Sequence, residues 1–461
     1  MKKRFMGTTI IADGISQPLD DFETKRNNNF LIVGASGTSK TRSFVIPNVL
    51  EATGSYIISD PKGYIYDTYS DYMKDKGYEV FLIDLKNPER SCHYNPLDYV
   101  ETADDALKLA STIYSKTQDT DSHKYWENSG IYLLAAIITY VKFEMDKKYH
   151  NINYIMDVIS TRKIRIEYCD LLVNFIKKEY KLDSPQAATQ GHLLLDAIKR
   201  DGYSDEKVDL YFKFMQNEGH TTAYTRFFSQ LMVDGANDTK DCIYMEAMFA
   251  LQQFSSDSVQ NITSKSDFRF EDLDKKKMAI FVTCSDTDRS MDTFANMFYS
   301  QCLQVLCDYA DTKCKNHRLK MPVRFFLDDF ATNFKIVNFD KTIAMIRSRG
   351  ISANIIIQDL HQLKTCYNYA AETIINNCDN IVYFGGNDYD TNLYMSKLMD
   401  VQMDDLRYMK YRECFVYRRM NKSIRTYGVD LDIFEKCKRN GIMYKRTTPI
   451  IKPKWRIGFA V

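Results

Sequence analysis

Short apolar runs alternate with helical patterns over the first hundred or so residues. Phe30-Leu-Ile-Val33 leads through a polar loop into a helical pattern over about 40–51, then come Ser55-Tyr-Ile-Ile-Ser59, a helical pattern over about 64–76, and Tyr78-Glu-Val-Phe-Leu-Ile-Asp84. Such alternation predicts a parallel sheet flanked by helices. From Ala103 the strand pattern gives way to helical stretches at Asp104–Tyr114, Trp126–Met145, Ser184–Arg200 and Lys207–Asn217, predicting an all-α insertion. Strand chemistry returns at Met278-Ala-Ile-Phe-Val-Thr-Cys284. A long helix over about 291–310, a strand over 323–328, a helix near 337–348, Ala353-Asn-Ile-Ile-Ile-Gln358 and Asn380-Ile-Val-Tyr-Phe384 follow, with a strand-like Cys414-Phe-Val-Tyr417 beyond them. The two alternating sections complete one α/β nucleotide-binding sheet of mostly parallel strands, interrupted in sequence by the helical block. The expected division is 1–102 and 266–461 for this sheet domain, with a basic, aromatic tail carrying Lys452, Lys454, Trp455 and Arg456, and 103–265 for the insertion.

The polar loop after Val33 carries the chemistry. Gly34-Ala35-Ser36-Gly37-Thr38-Ser39-Lys40-Thr41 follows a strand and opens a helix, the setting of a phosphate-cradling loop. Glycines let successive backbone N–H groups turn inward around phosphate oxygens, and the helix presents its positive N-terminal end to the same charge. Residues 34–42, Gly34 through Arg42, are the candidate nucleotide-binding set. Lys40 reaches the β/γ-phosphates and Thr41 holds Mg²⁺, so ATP with Mg²⁺ is the expected cofactor. Ser39 stands where the pattern expects its second glycine, a position that strains a non-glycine residue if it needs positive φ.

Far along the chain, Arg324-Phe-Phe-Leu327 fixes Asp328 and Asp329 at a strand end. Asp328 is placed to orient Mg²⁺ through water. Asp329 faces the attacking water as general base. Gln358 ends the next strand, where its amide can donate to a γ-phosphate and accept from a polarised water, or cap a backbone group.

Composition narrows the reading without deciding it. The 461 residues are 44% hydrophobic, enough for a large core and, by length, for roughly three domain-sized units. A net charge of +1 excludes a protein that coats nucleic acid by charge alone, so any such contact is local or is handed to a partner. Eleven cysteines with no C-x-x-C pair read as reduced cytosolic thiols. Cys302, Cys307, Cys314 and His317 suit no common zinc spacing. Ile131–Val141 is too short to cross a bilayer, and the N-terminus lacks a signal peptide's apolar region.

Specific motifs then accumulate in order: Ser59-Asp60-Pro61-Lys62-Gly63, His93-Tyr-Asn-Pro96, Tyr125-Trp-Glu-Asn128, Leu327-Asp-Asp-Phe-Ala331, Ile346-Arg-Ser-Arg-Gly350, Gln358-Asp-Leu-His-Gln362, Ile374-Ile-Asn-Asn-Cys378 and Gly385-Gly-Asn-Asp388. From about residue 28 to 400 the chain resembles the type IV secretion coupling proteins, the TraG-like conjugative DNA-transfer ATPases. The resemblance implies a RecA-like motor domain, a helical domain that receives relaxase or other nucleoprotein substrates, and a homo-hexameric ring pumping single-stranded DNA toward a secretion channel.

It also favours Arg347 over Arg349, in the same turn, as the finger reaching a neighbouring subunit's nucleotide, the alternative being an exposed salt-bridging arginine. Family members usually have glutamate where Asp329 stands, which implies slow hydrolysis if the shorter side chain reaches water less well. Most relatives carry transmembrane helices before the motor; none is expected here, which implies a cytoplasmic chain docked peripherally on channel components at the inner face of the membrane.

Asp60 and Lys62 read either as a family signature or as a turn built on Pro61, and Trp126 reads first as a packing residue. Aromatic stretches such as His220–Phe228 suit a helix face as well as a DNA groove. Three readings follow: a motor ATPase, a nucleotide-binding docking adaptor that has lost turnover through Ser39 and Asp329, and an unrelated phosphate-loop switch or kinase. The last is disfavoured because the chain has no Asn-Lys-x-Asp base-reading motif.

Overall fold

In the computed structural model thirteen strands are described: β1 Thr8–Ala12, β2 Ile15–Pro18, β3 Phe30–Val33, β4 Ser55–Ser59, β5 Glu79–Asp84, β6 Lys163–Glu167, β7 Tyr203–Lys207, β8 Met278–Thr283, β9 Val323–Leu327, β10 Ile351–Ile357, β11 Asn380–Tyr383, β12 Glu413–Arg418 and β13 Ile424–Tyr427. The structure describes residues 7–114, 124–167, 203–208, 237–285, 290–332 and 335–448, with positions 177 and 196 singly. Most of the helices expected over 184–200 and 207–217, together with the stretch 220–228 and the tail from Lys452, lie outside the described residues. Lys207 itself ends a strand.

The chain forms two compact units, residues 1–92 with 267–461, and residues 93–266. The first is built on nine strands in the order β13-β12-β11-β3-β10-β9-β4-β8-β5. Every pair from β11 to β5 is parallel, and β12 and β13 extend the edge antiparallel. Phe30-Leu-Ile-Val, Ser55-Tyr-Ile-Ile-Ser and Ile351–Ile357 are buried along their whole length, as strands covered on both faces must be.

On one face the helix that follows the loop drives Phe44 between Phe30 and Phe326, with ring centroids 5.4 and 6.2 Å away. Its first turn, Thr41–Val45, is wound as a π turn and continues as α-helix over Ile46–Leu50. The wider turn accommodates Pro47, which has no N–H to return to the preceding turn. On the other face Phe330, Phe339 and Tyr367 stack within 6.4 Å of one another.

A hairpin of β1 and β2 carries no signal in the hydrophobic pattern, and the sequence reading has no strand there. It is tied to the sheet by a fully buried cation: Arg324 on β9 donates to the hydroxyls of Thr9 and Thr53 and to the Asn48 carbonyl at 2.9–3.2 Å. Its guanidinium also lies over the Phe326 ring at 5.1 Å.

In the second unit, helices Ala103–Tyr114, Lys124–Glu144, Ile152–Thr161 and Asn237–Leu251 bury Leu133, Leu134, Ile137, Ile155 and Ile159. It also holds one antiparallel pair, β6 with β7, where the sequence reading expects an all-α insertion. Only Ile164 and Ile166 alternate with charges in β6, and Tyr203-Ser-Asp-Glu-Lys has no apolar period. His93–Val100 belongs to this unit: the Tyr94 amide donates to the Ile262 carbonyl and the Asn95 amide to the Ser266 hydroxyl.

Candidate nucleotide site

The site lies at the carboxyl ends of β3, β10 and β9, and its layout follows from strand order. Parallel register sets Val33 beside Ile357, and Leu327 beside Ile355. The residues that follow, Gly34, Gln358 and Asp328, therefore emerge along one edge with Gln358's strand in the middle. Sequence reading pairs the loop with the acidic strand but carries no signal for this interposed strand, because the order is a product of long-range pairing.

Across that edge the Thr41 hydroxyl donates to Asp328 Oδ2 at 2.6 Å, joining segments 287 residues apart. The Lys40 ammonium bends back onto its own loop, donating to the carbonyls of Gly34 at 2.5 Å and Ala35 at 3.1 Å. Burial lowers its pKa, while the carboxylates of Asp328 and Asp329 oppose that shift, so both acids sit within its field. Asp328 is buried, and desolvation raises its pKa to about 6 against the bond from Thr41. A hydroxyl and a carboxylate oxygen side by side are hard oxygen donors that could hold Mg²⁺, and the Lys40 ammonium beside them could meet a phosphate.

Loop conformation matches the task. Gly37 adopts φ 79° with open space around it, and the Thr38 hydroxyl closes the turn on the Ala35 carbonyl at 2.8 Å. Ser39 adopts φ 77°, so the site where glycine is usual does demand the left-handed region. A side chain there costs roughly 1–2 kcal/mol. Ser36 is exposed at the loop tip. Arg42 turns away from the loop to pair with Asp432 at 2.9 Å.

The other singled-out residues divide by location. Asp329 is half-buried and left-handed, φ 51°, with its amide donating to Asp328 Oδ1 at 3.1 Å. The Gln358 amide N–H donates to Gln362 Oε1 at 3.2 Å, and Gly34 donates to the Ile357 carbonyl at 3.3 Å, which ties the middle strand to the loop. Arg347 is not brought to this edge. It lies in the last turn of the helix Phe339–Arg349, before β10 begins, and donates to Asp21 through Nε at 3.2 Å. The seven residues of β10 separate it from its own loop by roughly 23 Å. Arg349 pairs with Asp311.

Asp60 closes a turn on Gly63 and accepts from the Tyr66 amide at 2.9 Å, a helix cap that suffices to explain the Asp-Pro-Lys-Gly run. Lys62 is exposed and Trp126 half-buried against Tyr125. Cys302 lies buried within a helix, and Cys314 donates to Asp274. Among the described residues no helix is long and apolar enough to cross a membrane.

Sequence reading also missed what lies over the loop's helix. The Ser43 hydroxyl donates to the Val429 carbonyl at 3.1 Å, and Gly428 packs so closely that a Cβ there would sit 2.6 Å from that of Ser43.

Known proteins share this fold. The solved structure of the bacterial conjugative coupling protein TrwB, in complex with sulphate, superposes with a TM-score of 0.58 at 15% identity, covering 97% of this chain and 92% of that one. TrwB in complex with a non-hydrolysable ATP analogue gives 0.57 at 15% identity over 97% and 92%. Among curated sequences, protein VirD4 of Agrobacterium fabrum is 24% identical over 373 residues, 80% of this chain and 48% of that protein. VirD4 of Rhizobium radiobacter is 24% identical over 393 residues, 84% and 50%. The chain thus spans about half the length of the curated relatives it matches. The family described as type IV secretory system conjugative DNA transfer matches residues 7–400, and the chain belongs to that family.

Proposed function

We propose that this chain is an ATP-driven coupling protein that recruits relaxase–DNA or protein substrates and moves single-stranded DNA into a type IV secretion channel. One observation carries the nucleotide part: the 2.6 Å bond between Thr41 and Asp328, with Lys40 beside it, in a member of a DNA-transfer family. ATP with Mg²⁺ is the expected ligand, and TrwB has been solved with ADP and Mg²⁺. When bound, the metal would draw charge from the phosphates; Thr41 and Asp328 would hold it.

The protein's own residues supply the rest. Lys40 leaves its loop carbonyls to bind phosphate oxygens, Asp329 positions and deprotonates the attacking water, and Gln358 senses the γ-phosphate from the middle strand. Arg347, remote from its own loop, serves a neighbouring subunit of a ring. The helical unit, about residues 103–265, is the recruiting surface, in keeping with inserted modules carrying recognition on a fixed scaffold. The chain works in the cytoplasm, docked on channel components at the membrane.

A second reading, a hydrolysis-impaired docking adaptor of the same apparatus, is favoured by the left-handed backbone at both Ser39 and Asp329, the two positions that depart from the usual motor residues. Steady-state ATP turnover with and without single-stranded DNA separates the two. A motor gives DNA-stimulated hydrolysis that Lys40→Ala abolishes. An adaptor binds ATP and turns it over negligibly whatever the DNA.

A further inference from the structure

We propose that Ser39 and Ser43 are positioning residues that link the phosphate loop to a C-terminal strap, so that nucleotide affinity depends on where the strap sits. The strap is the segment after β13: a turn at Gly428–Asp430, the helix Leu431–Arg439 and the chain onward to Thr448. The inference rests on the reading of the loop as an ATP site.

The direction of the link follows from counting hydrogens. A serine hydroxyl has one proton to give. Ser43 gives its own to the Val429 carbonyl at 3.1 Å, so in the 3.0 Å contact between the two hydroxyls Ser39 is the donor. The relay therefore runs Ser39 to Ser43 to Val429, from the strained loop residue through the loop's helix to the strap backbone. Ser43 is fully buried and Ser39 half-buried. A glycine at position 39 would relax the backbone and end the relay at Ser43.

The strap is held firmly enough to act as an anchor. Arg42 pairs with Asp432, Lys438 with Glu51 at 2.5 Å, and the Tyr69 hydroxyl with Glu435 at 2.5 Å, tying its helix to the loop's helix and to the helix Tyr64–Asp75. Its far end is fastened by fully buried Asp13, which accepts from Tyr444, Thr447 and Thr448 at 2.5–3.1 Å.

The test is calorimetric titration of Mg²⁺-ATP into the full chain, native and as Ser39→Ala, Ser43→Ala and the double variant. Alanine keeps the Cβ and hence the backbone strain. Each single change is expected to weaken binding about fivefold, the worth of one hydrogen bond, and the double change no further than either single. In steady-state turnover KM for ATP rises by the same factor while kcat holds. Gly428→Ala, which displaces the strap without removing a hydroxyl, is expected to weaken binding to a similar degree, with urea unfolding confirming that each variant is folded. Multiplicative effects, about 25-fold in the double variant, or unchanged affinity in any single one, overturn the relay. If the native chain takes up no ATP, the site reading itself has failed and the relay falls with it.

Discussion

Replacing Asp328 by asparagine should make the nucleotide-free protein more stable while removing the proposed metal ligand. Burial is the main reason this carboxyl titrates near 6 instead of 3.8, ahead of the opposing bond from Thr41. A shift of about two units is worth about 3 kcal/mol, at about 1.4 kcal/mol per unit. Because the folded protein binds this proton more tightly than the unfolded chain, the carboxyl favours folding below about pH 4, and that contribution is lost as the pH rises through about 6. Asparagine keeps the shape and does not titrate. The stability of Asp328→Asn relative to the native chain should therefore grow by about 2 kcal/mol between about pH 4.5 and about pH 8. Urea unfolding across that range measures it. Taking the difference of the two proteins cancels Asp60, which burial also raises to about 6. A difference that is flat with pH, or that falls toward pH 8, would refute the placement of an ionised, desolvated carboxylate. The stability gained and the ligand lost together would mark the site as one kept strained for function.

Other outcomes follow from the same geometry. Arg347→Ala should leave the ATP affinity of the isolated chain unchanged yet lower turnover of the assembled form by about 10³-fold or more, as for a finger acting in trans; a loss of affinity in the isolated chain would place it in its own site. Asp329→Glu lengthens the side chain toward the water and should raise kcat, with no change expected in Kd, and a fall in kcat would show that aspartate is the fitted residue. Asp13→Ala strips several donors of a buried acceptor and should lower stability by about 2–4 kcal/mol, with limited proteolysis cutting the chain ahead of Thr448; uncut protein would mean that the far end of the strap does not depend on Asp13. Phe44→Ala should cost about 3–5 kcal/mol in urea unfolding, since its ring fills the gap between Phe30 and Phe326.

The parallel strands were legible because continuous apolar runs such as Phe30–Val33 and Met278–Thr283 leave little alternative to a doubly covered sheet. The loop and Asp328 were legible because their chemistry is local. What the chain did not disclose were relations between distant segments. The place of β10 between β3 and β9 depends on pairing across the sheet. Arg324 looks like an ordinary strand residue, and only the fold shows it buried among Thr9, Asn48 and Thr53. The strap over Ser43 was invisible for the same reason: Gly428-Val429 has no pattern of its own until β12 and β13 deliver it to the loop's helix.

Titration of ATP into the purified chain, with Mg²⁺ and then with the metal chelated, tests most directly whether two distant segments grip one metal–nucleotide complex. Uptake should be tight with Mg²⁺, weakened by chelation, lost in Lys40→Ala, and insensitive to Mg²⁺ in Asp328→Asn. No uptake by the native chain, or a Mg²⁺ dependence that survives in Asp328→Asn, would contradict it.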